Sequence, residues 1–145
     1  MNYIHTHVQE LETAYPYKAT TNACNYDATK GTVNVNVVAT VTPKSAAQLK
    51  AAIATGPTSV TVEADRAVFQ QYTSGVLNSP LCGTSLDHAI TAIGYGTDAT
   101  AGDYYIVRNS WGAAWGNAGY INIAAVEGTV GICGIQQTSV WPTTN

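Results

Sequence analysis

From Thr58 to Ile123 the chain repeats one pattern, short runs of β-branched and aromatic residues ended by glycines, and this pattern dictates a sheet. The runs are Thr58 to Glu63, His88 to Tyr95, Asp103 to Arg108 and Gly119 to Ile123. Each is too short for an ordinary helix, and the glycines between them supply the turns. The sequence is 46% apolar and 10% charged with 13 glycines in 145 residues, which suits a buried core and many tight turns and argues against disorder. The length is that of one ordinary domain, and no repeat or low-complexity tract divides it.

One helix is expected before this region. Thr42 is a suitable N-cap and Pro43 suits the first helical position. Ala46, Leu49, Lys50 and Ile53 then fall on one stripe until Gly56-Pro57 ends it. A helical turn is expected over Asp65 to Tyr72. Upstream, Val33, Val35 and Val37 alternate with Thr32, Asn34 and Asn36, which predicts a half-buried strand from Thr32 to Val41. Asn2 to Leu11 reads as the end of a helix, stopped at Ala14-Tyr15-Pro16-Tyr17 because proline disfavours helical geometry in the residue before it. The expected class is α+β.

A formal charge of −3 with no basic run gives no surface for neutralising phosphates, so neither nucleic acid nor an anionic membrane is an expected partner. The longest apolar stretches, such as Ala89 to Ile93, are far shorter than the roughly 20 residues that cross a bilayer, and a soluble chain is expected. Met1 to Glu10 holds His5, His7 and Glu10 and no hydrophobic core of a signal peptide. His5 and His7 could share a metal on an extended segment, but a solvated helix end accounts for them better, and no metal or cofactor is expected.

Three cysteines, Cys24, Cys82 and Cys133, leave one over if a disulfide forms. Cys82 and Cys133 both sit in turn-like settings, and no CxxC spacing argues for zinc. The residues themselves leave two readings open, a Cys82–Cys133 bridge in an oxidising compartment or three buried free thiols.

Two local motifs are specific in combination. Leu86-Asp87-His88-Ala89 opens an apolar strand that ends in Gly94-Tyr95-Gly96. Tyr104-Tyr105-Ile106-Val107-Arg108-Asn109-Ser110-Trp111-Gly112 ends another and continues into Trp115-Gly116 and Gly119-Tyr120. On these residues the chain resembles the papain family of cysteine peptidases, which includes the cathepsin L-like enzymes. The resemblance runs from Tyr15-Pro16-Tyr17 to Trp141-Pro142. It implies a papain-like right-hand domain over residues 30–142, an antiparallel, barrel-like sheet with one short amphipathic helix, and a remnant of the left-hand domain over residues 1–29.

The resemblance also implies roles. A thiol whose ordinary pKa is about 8.5 needs an imidazolium beside it to stay ionised at neutral pH, and His88 matches that partner. It would then protonate the leaving amine and later activate water. Asn109 matches the residue whose carboxamide accepts a hydrogen bond from the imidazole, and Trp111 would shield that bond from water. Trp115 would flank the primed side of the cleft. Thr61, Leu86, Ala89 and Thr138 map to the pocket for the substrate's second side chain, an apolar acceptor of moderate size. Cys82 and Cys133 match the family's right-hand disulfide. Cys24 matches a half-cystine whose partner lies in the amino-terminal region.

The family's nucleophile, in a Cys-Trp-Ala-Phe type helix preceded by an oxyanion-donating Gln, has no match in this sequence. Cys24 is a poor substitute. Ser85 and Ser110 are near His88 and Asn109 in sequence, but adjacent strand positions face opposite ways, so a serine triad is not expected. The leading reading is the His/Asn-bearing part of a papain-like endopeptidase acting on peptides or proteins, secreted or lysosomal/vacuolar by resemblance and inactive alone. It would be completed by a missing amino-terminal portion, by a second chain, or by dimerisation and segment exchange. The alternative is a non-catalytic papain-fold module that binds peptides or partners.

Overall fold

The computed structural model describes residues 2–144; Met1 and Asn145, included in the single domain expected from sequence, lie outside them. The chain divides into two compact units, one formed by its first 39 residues with the segment from Pro142 onward, the other by Thr40–Trp141. No helix among the described residues is long and apolar enough to cross a membrane.

The first unit contains helix α1 (Asn2–Thr6), strand β1 (Gln9–Glu10), strand β2 (Gly31–Val33) and most of strand β3 (Val35–Thr40). The helix expected as far as Leu11 stops at Thr6, because Gln9 and Glu10 pair antiparallel with β2. The ladder satisfies their backbone groups without a helix. The strand expected over Thr32 to Val41 is broken at Asn34, and its valines do not share one buried face. Val35 is buried, whereas Val37 is 52% exposed. The two halves serve different partners, β2 pairing with β1 and β3 lying beside the end of the last strand.

The second unit holds the core. Helix α2 (Ala46–Thr55) buries Ala46, Leu49 and Ile53 of the stripe read from the sequence, and Ala52 beside them, whereas Lys50 is only partly buried and its Nζ donates to Asp103 Oδ2 at 2.6 Å. Its start differs from the expectation. Lys44 takes a left-handed conformation (φ 64°), so Thr42 and Pro43 lie outside the helix. Ser45 is the N-cap instead, its Oγ accepting from Gln48 N–H at 3.3 Å. Glu127 Oε2 also accepts from Ala47 N–H at 2.9 Å, placing a carboxylate on the positive end of the helix. Replacing Ser45 by alanine should cost about 1 kcal/mol, seen as a lower urea midpoint at unchanged m value.

Strands β4 (Thr58–Val62), β5 (Val76–Leu77), β6 (His88–Asp98), β7 (Gly102–Arg108), β8 (Tyr120–Ala124) and β9 (Ser139–Thr144) follow, with helix α3 (Ala67–Gln70) between β4 and β5. Within the second unit their order is β9-β4-β6-β7-β8-β5. The central pairs are antiparallel, β5 runs parallel to β8, and the sheet does not close into a barrel. The α+β class holds, with mostly sheet and few helices. Alternation decides the inward face: Val60 and Val62, Ile90 and Ala92, Tyr105 and Val107, and Ile121 and Ile123 are buried against α2 and Phe69 of α3.

Two pairings bring the imidazole and the carboxamide together. Val62 opposite His88 puts the imidazole at the first position of β6. Thr91 opposite Arg108 ends β7 next to β6, so that Asn109 leaves the sheet close to that imidazole.

Candidate active site

His88 Nε2 lies 2.8 Å from Asn109 Oδ1. The direction of this bond follows from a second contact, because Ser110 N–H donates to the same Oδ1 at 2.7 Å. An atom that accepts from a backbone N–H is the carbonyl oxygen of the amide, so Nε2 must carry the proton and donate it. Nδ1 is left as the basic nitrogen. It has no hydrogen-bond partner among the described residues. Asn109 is 7% exposed, and its own N–H donates to Gly119 O at 3.0 Å, which fixes its backbone. Its Nδ2 has no partner among the described residues.

An aromatic stack covers the pair. Trp111 lies on the imidazole with centroids 5.2 Å apart and planes 26° apart, while the residue as a whole stays 41% exposed. Phe69 meets Trp111 edge-on at 5.6 Å and stacks on Trp115 at 5.3 Å. Trp115 Nε1–H donates to Gln70 O at 2.9 Å, tying the indole to α3. The turn that carries both indoles depends on Gly116, where φ is 59° and an added Cβ would come within 2.6 Å of Tyr120 O.

The four residues mapped to the substrate's second side chain are only partly assembled by the sheet. Thr61 is directly opposite Ala89 across the β4–β6 pair, and its hydroxyl donates to Thr138 O at 3.1 Å. That bond occupies the Thr61 hydroxyl and leaves its methyl as the free surface. Leu86 is 36% exposed and packs by Gly134, where an added Cβ would lie 2.8 Å from Leu86 Cδ2. A cavity of about 240 Å³ is lined by Ala89, Thr91, Arg108, Asn109 and Ser110, and one of about 350 Å³ by Thr138 with Val41 and Pro43. Neither holds all four. A larger one, about 760 Å³, is lined by first-unit residues such as Tyr15, Lys18 and Asn25 and touches none of the catalytic or substrate-binding residues expected from the sequence.

Cys82 and Cys133 are bonded to each other and buried, whereas Cys24 is exposed and outside any disulfide. His5 Nδ1 donates to Val35 O at 2.8 Å and His7 stacks on Tyr3 at 4.0 Å. Neither Ser85 nor Ser110 has a hydroxyl hydrogen-bonded to His88 among the described residues. Sequence reasoning assigned no role to Glu63, Arg66, Phe69 or Asp87, which back the site. Two signals were there, Asp87 inside the motif that holds His88, and an acid ending an apolar strand followed three residues later by an arginine.

Residues 1–143 match the model of the papain family cysteine proteases. Over 135 residues the chain is 44% identical to "Probable cysteine protease RD21B" of Arabidopsis thaliana, covering 92% of this chain and 29% of that protein. It is 39% identical over 137 residues to Cathepsin L of Sarcophaga peregrina, covering 92% of this chain and 40% of that protein. Among solved structures it superposes on bromelain of Ananas comosus, bound to an inhibitor, with TM-score 0.85 at 43% identity, over 99% of this chain and 67% of the other. A Carica candamarcensis cysteine protease in complex with E-64 gives TM-score 0.87 at 37% identity, over 99% of this chain and 66% of the other. The chain spans well under two thirds of the length of the curated relatives it matches and corresponds to their carboxy-terminal part.

Proposed function

The chain belongs to the papain family of cysteine proteases, and from that premise we propose that it supplies the imidazole and carboxamide of a peptide-hydrolysing site whose thiol comes from outside these residues. One observation carries the reading: His88 Nε2–H donates a hydrogen bond to Asn109 Oδ1, which leaves a bare Nδ1. A thiol placed against Nδ1 would pass its proton there, forming a thiolate and an imidazolium. The thiolate attacks the peptide carbonyl carbon, and the C–N bond breaks as the imidazolium proton moves to the leaving amine. Nδ1, neutral again, then takes a proton from water as the water oxygen attacks the thioester carbon; the C–S bond breaks, the carboxylic acid leaves, and the imidazolium proton returns to the sulfur. Asn109 and the Trp111 ring hold the imidazole in one orientation through both halves.

Among the three cysteines of the sequence, Cys82 and Cys133 are bonded to each other and Cys24 matches a half-cystine of the family and not its Cys-Trp nucleophile. The chain is therefore inactive by itself in this reading. Thr61, Leu86, Ala89 and Thr138 form the apolar wall for the second side chain of a peptide or protein substrate. The buried disulfide supports an oxidising setting, secreted or lysosomal/vacuolar. An amino-terminal portion bearing the thiol, in the same or a second, different chain, completes the site.

Incubation with an epoxysuccinyl thiol inhibitor, followed by intact-mass measurement, tests this directly. The chain alone should gain no mass and cleave no Phe-Arg reporter. Adding an amino-terminal segment of a relative that bears the Gln and Cys should restore both. Adduct formation on Cys24 together with cleavage by the chain alone would overturn the division of labour. No cleavage in either form would favour a non-catalytic peptide-binding module.

A further inference from the structure

Resting on the reading of His88 and Asn109 as the general acid–base pair, we propose that Glu63 is a positioning residue, a buried carboxylate that holds both supports of the imidazole. The Glu63 side chain is 2% exposed, and its two oxygens point in different directions. Oε2 accepts from Ser85 N–H, in the loop that leads into His88. Oε1 accepts from Arg66 Nε–H at 2.5 Å, at the residue that caps α3.

The first support is the entry to β6. Beyond the Glu63–Ser85 bond, Asp87 N–H donates to Val62 O at 3.1 Å, and Asp87 Oδ1 accepts from Ala64 N–H at 2.7 Å. The segment between the disulfide and His88 is thereby laced to the end of β4. Gly83, at φ 73°, leaves room for this, because an added Cβ would lie 2.6 Å from Glu63 Cδ. The second support is the aromatic stack. Arg66 starts α3, α3 carries Phe69, and Phe69 bears on Trp111, which lies on the imidazole. One side chain is thus common to the strand that carries His88 and to the ring that covers it. A carboxylate is required, since both neighbours are donors and only two acceptor oxygens satisfy them. The Ser85 N–H holds the Glu63 carboxyl below the ordinary glutamate range in spite of burial, so it is ionised at neutral pH.

Glu63→Gln replaces one acceptor by a donor facing a donor. The readout is the His88 ring in the full chain at neutral pH, by long-range proton–nitrogen NMR, compared with Asn109→Ala and with Ser45→Ala as a destabilised control that touches none of these residues. The unaltered chain should show a single tautomer protonated at Nε2. In Glu63→Gln an Nδ1-protonated form should appear and the Nε2 proton should exchange at least about tenfold faster, while Ser45→Ala leaves the ring unchanged. Should Glu63→Gln fail to fold, Arg66→Met takes its place, with a smaller change in the same direction, since Arg66 is half exposed. A locked ring that Asn109→Ala releases but the folded Glu63 or Arg66 variant leaves intact would overturn the role of Glu63 alone. A ring that is not locked in the unaltered chain would overturn the His88–Asn109 reading and this inference with it.

Discussion

With the chain completed by an amino-terminal segment bearing the Gln and Cys, His88→Ala should lower kcat/KM for a peptide reporter by about 10³-fold, the middle of the range for general acid–base catalysis. The loss should fall on kcat, because the ring makes its contribution as the C–N bond breaks and not in holding the substrate. Asn109→Ala should be milder, about 10²-fold, the usual consequence of letting a catalytic group drift from its productive orientation. It removes the acceptor that fixes the Nε2 proton, after which nothing forces Nδ1 to be the basic nitrogen. The two changes act on one unit, so the double variant should be little worse than His88→Ala. A loss under tenfold for His88→Ala, or one expressed wholly in KM, would mean that the imidazole is not the acid–base group.

The residues that form this pair were legible through the two motifs that carry the family resemblance, and the strand pattern is compatible with their meeting. His88 opens one run and Asn109 directly follows another, and the glycines between the runs suit neighbouring antiparallel strands. The 21-residue separation then becomes a 2.8 Å contact through a register that alternation largely dictates. Helix α2 was legible for a similar reason, since its stripe of Ala46, Leu49 and Ile53 is local. Its cap was not, because the left-handed turn at Lys44 is set by Lys44 N–H donating to Gln136 O, 92 residues further on. The amino-terminal valines misled because alternation reports a half-buried strand only when one partner sheet accepts every inward residue. Here the run is shared between two partners. Glu63 was invisible as a site residue for the complementary reason. Nothing local shows that a strand-ending acid will be closed in by Ser85 and Gly83, and only the three-dimensional packing turns it from a solvated charge into a buried one.

Exchanging both Cys82 and Cys133 for serine should cost about 4 kcal/mol of stability in the chain-entropy account, because the bond closes a separation of 51 residues. For a chain of this length that is a fall in Tm of roughly 10–15 °C. Calorimetry should show the unaltered chain losing the same amount on reduction and the double variant indifferent to reductant. The bond does more than tether, since Cys133 O accepts from Glu63 N–H at 2.8 Å and Cys82 stands just before the loop that Glu63 grips. Releasing it should therefore loosen the His88 entry before the whole unit melts, with amides from Gly83 to Asp87 exchanging faster than those of β7 and β8 at temperatures well below Tm. Uniform exchange through both regions would show instead that the disulfide acts only on the unfolded chain, and that the loop is held by the Glu63 and Asp87 bonds without its help.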